Sequence, residues 1–199
     1  NYYTNEEITI PLDPTQTPGK NAQRYFAKYN KQKRTFEALT ELIQETADDI
    51  QYLESISNAL DIALSEADLA QIKEELMQSG YIRRKHTKKK VKLTSKPMHY
   101  ISSDGYDMYV GKNNLQNEEL TFSFANGNDW WFHAKGAPGS HVIVKSGGDE
   151  LPDRTFEEAG RLAAYYSKNR GADKVEIDYI QKKHVKKPNG AKPGFVVYY

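Results

Sequence analysis

From Asn21 to about Leu64 the chain contains neither proline nor glycine, and apolar residues recur at Phe36, Leu39, Ile43, Ile50, Leu53, Leu60 and Leu64. Steps of three and four alternate along this series, with Thr46 and Ser57 in the two weak places. A heptad seam sustained for about four repeats predicts one long helix of the coiled-coil kind. A single helix has no means of burying such a seam alone. A second helical stretch, Glu66 to Ser79, carries Leu69, Ile72 and Leu76 at helical spacing and stops at Gly80. It is too short to cover the first helix. The arm is therefore expected to pair with an upstream helix outside this sequence or with a second copy of itself.

The charge distribution separates this arm from the C-terminal part of the chain. The formal net charge is only +1. Residues 37–79, however, hold one basic and eleven acidic groups, whereas residues 80–199 hold twenty-one basic and thirteen acidic ones. A basic domain beside an acidic arm points to a polyanionic partner for the domain and a different surface for the arm. Hydrophobic residues make up 38% of the chain and charged residues 28%, a balance that suits an extended element better than one compact globule. There are 14 tyrosines, whose apolar ring and polar tip suit half-wet surfaces. The absence of cysteine excludes disulfides, thiolate metal sites and cysteine nucleophiles. No apolar run approaches the length of a membrane span. The first residues, Asn1-Tyr2-Tyr3, show no signal-peptide pattern and no initiator methionine, so a piece of a longer chain is expected.

These signals divide the chain into four segments. Residues 1–20 read as a short strand at Ile8-Thr9-Ile10 and a turn-rich lead-in with Pro11, Pro14, Pro18 and Gly19. Residues 21–80 are the helical coiled-coil arm. Residues 81–97 are a basic hinge in which Arg83, Arg84, Lys85, Lys88, Lys89, Lys90 and Lys92 crowd together before Pro97. Residues 98–199 read as a mixed α+β domain. Its strands are expected at Tyr100–Ser103, Tyr106–Val110, Leu120–Ala125, Trp131–Ala134, His141–Lys145, Lys174–Ile180 and Phe195–Tyr199. Asp104-Gly105 predicts a hairpin through a primed turn. A helix from Thr155 to Asn169 presents Phe156, Ala159, Leu162, Ala163 and Tyr166 on one face, opens with a Thr155/Glu158 capping box and ends at Gly171. The fold class is α+β.

The segment from Asp129 to Val142 is the richest in chemistry. Trp130, His133, Lys135 and the Pro138–Ser140 loop with His141 combine faces that can stack on unpaired bases, a cation for phosphate and backbone amides able to approach an anion. Trp131 and Phe132 read as core. Asp129, His133 and His141 make a poor metal set, because on a strand their spacing does not converge and no third histidine is near. No metal or other cofactor is expected. Ser140 beside His141 is no catalytic pair, since adjacent strand residues point to opposite faces, and no enzymatic site is expected. A second basic patch, Lys182, Lys183, Lys186, Lys187 and Lys192 with interleaved prolines, has the composition of a phosphate-binding loop.

Several long ordered motifs resemble the NFACT family. They include Ser103-Asp104-Gly105-Tyr106, Gly111-Lys112-Asn113-Asn114 with Gln116-Asn117, Asp129-x-Trp131-Phe132-His133, Pro138-Gly139-Ser140-His141-Val142 and Val185-Lys186-Lys187-Pro188-x-Gly190-x-Lys192-Pro193-Gly194. In the arm, Ile10-Pro11-Leu12-Asp13-Pro14 and Asn21-Ala22-Gln23-x-Tyr25-Phe26 are similar to the same family. The resemblance implies a long coiled-coil arm followed by the RNA-binding domain known as NFACT-R. It implies engagement of large ribosomal subunit RNA and tRNA during C-terminal alanine tailing of stalled chains, in the cytoplasm. The family's N-terminal domain and its helix-hairpin-helix module are not recognised in these residues, so this piece alone is not expected to support tailing. Some relatives are described as surface adhesins that bind fibronectin, which leaves a cell-surface role as the alternative.

Overall fold

The computed structural model describes residues 1–83 and 95–199. They divide into two units, Asn1–Asp49 and Ile50–Tyr199. Arg83 of the basic hinge is exposed. Arg84, Lys85, Lys88, Lys89, Lys90 and Lys92 lie outside the described residues.

Helix α1 runs Pro18–Ile62 and contributes to both units. In the first unit its start is built by local chemistry. The Thr17 hydroxyl accepts the Lys20 amide at 3.3 Å, and Pro18 fills the first helical position, where a missing N–H costs nothing. Asn21 is buried and clamps the lead-in. Its Oδ1 accepts the Asp13 amide at 2.8 Å, and its Nδ2 donates to the carbonyls of Asp13 at 3.0 Å and Thr17 at 3.3 Å. The Tyr25 hydroxyl donates to the Pro11 carbonyl at 2.6 Å. The strand expected at Ile8-Thr9-Ile10 does not form, and both isoleucines are exposed. A lone β-favouring triplet followed by Pro11 and Pro14 finds no second strand to pair with among the described residues of this unit.

The seam residues Phe36, Leu39 and Ile43 are exposed in the first unit, and Ile50, Leu53 and Leu60 are exposed in the second. Helix α2 (Glu66–Gln78) packs instead on Tyr52, Ile56 and Ala59 of α1, through Ile72 and, at the margin, Leu76. Tyr52 and Ala59 each precede a seam leucine by one residue, which turns the packed stripe about 100° around the helix from the seam. Ser65 and Asp68 form a capping box at the start of α2. The helix stops at Gly80 (φ 83°), with Tyr81 N donating to Leu76 O at 2.9 Å and Gly80 N to Met77 O. That is the glycine-terminated closure the left-handed conformation permits.

The remainder is a five-stranded antiparallel sheet of β1 (Met98–Ile101), β2 (Asp107–Val110), β3 (Trp130–Ala134), β4 (Val142–Val144) and β5 (Ile177–Gln181), in the order β1-β2-β4-β3-β5. One face is covered by a helix over Met108, Val110, Phe132, Val142 and Val144. The other face carries Trp131 and Ile143. It is covered by helix α3 (Asn114–Glu119), which runs into a π-helical turn at Leu120–Phe124, and by the hairpin of β6 (Val185–Lys186) and β7 (Val197–Tyr198). The helix on the first face is α4 (Asp153–Tyr165). Burial on both faces explains the unbroken Val-Ile-Val of β4, since neither side of the central strand meets water.

Four local expectations are corrected. Leu120–Ala125 is not a strand. Asn113 caps α3 by accepting the Gln116 amide at 2.9 Å, and the chain stays helical through Leu120 and Thr121, both buried. Thr155 and Glu158 do not form a capping box. Helix α4 begins after Pro152, the Thr155 hydroxyl donates to Ser102 Oγ and Asp104, and Glu158 accepts the Ser103 amide at 2.8 Å. Both side chains tie α4 to the β1–β2 turn. The helix also ends near Tyr166, before Gly171. The β1–β2 hairpin itself forms as expected, but through a three-residue loop closed by Ser102 N to Tyr106 O at 2.8 Å. Within it Gly105 alone has positive φ, so the turn is not of the primed two-residue type.

Gly111 lies just beyond β2, where no side chain fits. A Cβ there falls 2.2 Å from Asn117 Oδ1 and 2.9 Å from the Asn117 amide. Gly111→Ala is expected to destabilise the chain by about 2 kcal/mol or more, as an overpacked core does. Urea unfolding followed by tryptophan fluorescence measures it, and a loss under about 0.5 kcal/mol would show that α3 can retreat from β2 freely.

Candidate nucleic-acid interface

The stretch Lys112-Asn113-Asn114-Leu115-Gln116-Asn117 joins α2 to the sheet. Asp68 accepts the amides of Leu64 at 3.0 Å and Ser65 at 3.1 Å, and also bonds the Lys112 ammonium and the Ser95 hydroxyl. Burial disfavours its charge, but these donors outweigh burial and hold its pKa well below the usual carboxylate range. The Gln116 amide group donates to Gln71 at 2.7 Å and to Ser95 at 2.8 Å, and Asn113 donates to Gln71 at 2.9 Å. Glu75 is fully buried and accepts bonds from Asn114 at 2.8 Å and the Tyr52 hydroxyl at 3.1 Å. Burial pushes its pKa up against those bonds.

Asn117 carries this order into the Gly136–His141 loop. Its side chain donates to Gly139 O at 3.2 Å and accepts the His141 amide at 3.0 Å. From the other side, Ser140 N donates to Tyr166 O at 3.1 Å and Lys168 N to Pro138 O at 2.9 Å. His141 bonds Thr121 Oγ1 through Nδ1 at 2.7 Å, and its ring meets those of His133 at 5.3 Å and Trp131 at 5.2 Å, edge to face.

These contacts decide what the sequence-predicted residues can do. Ser140 and His141 are buried, at 1% and 2% exposure, and so lie beneath the surface rather than on it. Burial lowers the His133 pKa to about 4, against the favourable Gly139 backbone and Asp178, and lowers that of His141 well below its ordinary value. Both rings are neutral at neutral pH and supply no cation to a phosphate. Trp130 is half-buried toward α4, edge to face with Phe156 at 5.6 Å and 6.3 Å from Tyr179, so neighbours already occupy much of its ring. Asp129 is taken by the Lys145 ammonium and the Asn126 amide, not turned toward the histidines. Lys135 is exposed and lies 3.5 Å from Glu176.

The second lysine patch splits in two. Lys187 pairs with Glu118 at 2.7 Å, and the same carboxylate accepts the Gly194 amide. Lys192 donates to the Tyr81 hydroxyl at 3.0 Å and sits 4.6 Å over the Tyr52 ring. These two hold the C-terminal hairpin region onto α3, α1 and the end of α2. Lys182, Lys183 and Lys186 point elsewhere. Lys182 is half-buried and lies 5.7 Å over Phe122, and Lys183 and Lys186 are exposed without an ion pair among the described residues. The segment is anchored by Lys182 N to Asp129 O at 2.8 Å and Lys183 N to Gly127 O at 2.9 Å. The result is a firmly held backbone with available ammonium groups, which is what electrostatic capture of a polyanion needs.

Residues 96–199 match the NFACT protein RNA binding domain, and residues 1–95 match the NFACT N-terminal and middle domains. The chain belongs to the NFACT family. It is 49% identical over its whole length to the Rqc2 homolog RqcH of Streptococcus pneumoniae, covering 36% of that protein. It is 44% identical to the Rqc2 homolog RqcH of Bacillus subtilis, again over its full length and 35% of the relative. The chain thus spans about a third of the length of these curated relatives. Among solved structures it resembles the C-terminal part of the fibronectin/fibrinogen-binding protein from Streptococcus suis. There the TM-score is 0.83 at 46% identity, over 94% of this chain and 74% of that one.

Desolvation of His133 makes stability depend on pH. Above about pH 6.5 both states carry neutral imidazole. As pH falls toward 4 the unfolded chain takes up protons that folded His133 refuses, so stability falls through that window and levels off below it for this group. His133→Gln is expected to flatten the slope of unfolding free energy between pH 6 and 4 by up to one proton, about 1.4 kcal/mol per pH unit. An unchanged slope in urea titrations would mean that His133 titrates normally in the folded state.

Proposed function

We propose that this chain is the RNA- and ribosome-binding part of a ribosome-quality-control factor, engaging large ribosomal subunit RNA and tRNA in the cytoplasm during C-terminal alanine tailing of stalled chains. The observation that carries this reading is the joining of two things in residues 96–199. The segment matches an RNA-binding domain over its full extent, and it holds Lys182, Lys183 and Lys186 on an anchored backbone, the last two exposed. Full-length similarity to Rqc2 homologs supports the quality-control context. In this reading the domain acts by binding alone and needs no catalytic group or cofactor. The seam of α1, with Ile43, Ile50 and Leu53 bare, belongs against a partner helix or a second copy.

Binding to tRNA or ribosomal RNA is expected to weaken steeply with salt, log K falling by about 0.7 to 0.9 per log salt for each phosphate neutralised. Reversal of Lys182, Lys183 and Lys186 together to glutamate should lower affinity at least tenfold and reduce that slope, with the unfolding midpoint unchanged. Lys187 and Lys192 are left intact, because they are committed to Glu118 and to the Tyr52 and Tyr81 rings. Fluorescence anisotropy across a salt series measures both, and salt-independent binding or none at low salt would refute the reading.

A second reading comes from the similar Streptococcus suis protein, described as fibronectin/fibrinogen-binding: a surface adhesin contact with fibronectin. Parallel pull-downs with fibronectin and with large ribosomal subunits at physiological salt separate the two. Retention of subunits but not fibronectin is expected.

A further inference from the structure

Strand β5 is one edge of the sheet, bonded to β3 and to no other strand among the described residues. Lys135 N donates to Glu176 O at 2.9 Å and Lys182 N to Asp129 O at 2.8 Å, so the backbone turns inward to β3 on both sides of this strand. In an antiparallel ladder the direction alternates. Asp178 and Ile180 therefore also bond β3, while Ile177, Tyr179 and Gln181 point their amides outward. Those three amides have no backbone partner among the described residues. The register runs without a bulge, and Ile177–Gln181 contains neither lysine nor proline, so the edge carries none of the features that usually block strand addition. The side chains of Ile177, Tyr179 and Gln181 share the α4 face of the sheet, since Tyr179 pairs with Phe132 and Ile177 with Ala134. Tyr179 stands edge-on to Phe156 of α4 at 4.4 Å and is 54% exposed. Gly160 and Ala164 follow Phe156 along the same flank of α4, and a Cβ placed on Gly160 meets nothing within 4 Å. The free edge thus runs beside an aromatic pair and a low helical wall.

We propose that this edge receives an extended peptide segment of a partner protein, added antiparallel to β5 as a sixth strand, with an apolar side chain leaning on Tyr179 and Phe156. The edge itself decides the class of partner. Outward amides at every second residue match an extended backbone, and partner residues opposite Ile177, Tyr179 and Gln181 fall on the α4 face with them. A phosphate chain finds no open cation on this side. Lys135 lies against Glu176, and Lys182 turns to Phe122 on the opposite face of the sheet. Charge sets the direction of the peptide. Phe156, near the start of α4, contacts Trp130, the register partner of Gln181, so the first turn of α4 lies at the Gln181 end of the edge. Asp153 in that turn is exposed and has no ion pair among the described residues. An antiparallel peptide enters at this end, so a basic residue ahead of its apolar position meets Asp153.

The test pans a displayed library of random peptides, each about ten residues long, against the whole chain. Gln181→Pro is the deciding variant. Gln181 has φ −65°, the value proline imposes, and its amide points outward, so the substitution removes one free donor and leaves the sheet intact. Its unfolding midpoint should match that of the unsubstituted chain. Enriched peptides should alternate apolar and polar residues, with a basic residue on the N-terminal side. They should bind Gln181→Pro and Tyr179→Asp about fivefold more weakly than the unsubstituted chain. Amide exchange followed by NMR should show Ile177, Tyr179 and Gln181 exchanging faster than Asp178 and Ile180 in the free chain, and slowing when peptide binds. If Gln181→Pro melts early, Tyr179→Asp and the exchange pattern of the unsubstituted chain decide. Slow exchange at the three amides in the free chain, a library that yields no binder, or binders that leave those amides unprotected each overturn the proposal. A dimer in sedimentation that Gln181→Pro abolishes overturns it too, by giving the edge to a second copy.

Discussion

The arrangement of the second unit depends on one buried carboxylate. Asp68 closes the start of α2 through the Leu64 and Ser65 amides and at the same time receives Lys112 and Ser95, which flank the first hairpin of the sheet. Its side chain is 1% exposed and that of Lys112 12%. Breaking a buried pair of this kind by removing one partner costs about 3–5 kcal/mol, because the remaining charge is stranded. The pair is weak evidence for stability as such, since apolar groups of equal volume often do as well. Its value is orientation. An apolar contact between α2 and α3 would tolerate sliding, whereas Asp68, Gln71 and Glu75 meet Lys112, Gln116, Asn113 and Asn114 in one register.

That register propagates. With α3 set, Asn117 reaches both Gly139 O and His141 N, and the loop between β3 and β4 is held from one side. The end of α4 holds it from the other through Tyr166 and Lys168. The same loop takes part in closing the aromatic interior around Trp131, His133 and His141. Desolvation there disfavours the charged form of both histidines, so the interior contributes shape and not positive charge. A segment dense in aromatic and histidine residues thus has an architectural role within the domain.

The elements were legible wherever periodicity and burial agree. The unbroken stretch after Pro18 became α1, the apolar face of Phe156, Ala159, Leu162 and Ala163 became the packed face of α4, and the hairpin at Asp104-Gly105 formed at its expected place. Reading failed where a side chain serves the tertiary structure instead of its own element. Thr155 and Glu158 have capping-box spacing but bond the neighbouring turn. Leu-Thr-Phe-Ser-Phe alternates like a strand, yet its Thr121 is spent on His141 inside a helical turn. The strong seam drew attention from the weaker stripe of Tyr52, Ile56 and Ala59 that α2 covers. The polar joint had a signal that went unused: four amide side chains within five residues, at the cap and first turn of α3. Such residues are mostly exposed, so a cluster of them bordered by Gly111 suggests a satisfied buried network.

The lysines show the same principle at the surface. By composition Lys182, Lys183, Lys186, Lys187 and Lys192 form one basic patch, and counting charges treats them alike. Lys187 and Lys192 are committed to Glu118 and to the Tyr52 and Tyr81 rings, and holding them there keeps the chain between β6 and β7 on the body of the domain. An exposed ion pair of this sort adds about 0–1 kcal/mol, too little to dominate stability but enough to bias a loop. Lys182, Lys183 and Lys186 keep their charge available because the backbone, not the side chains, does the anchoring there. Under the proposed reading a polyanion would meet ammonium groups on a scaffold that is already fixed, with little ordering of that scaffold left for binding to impose.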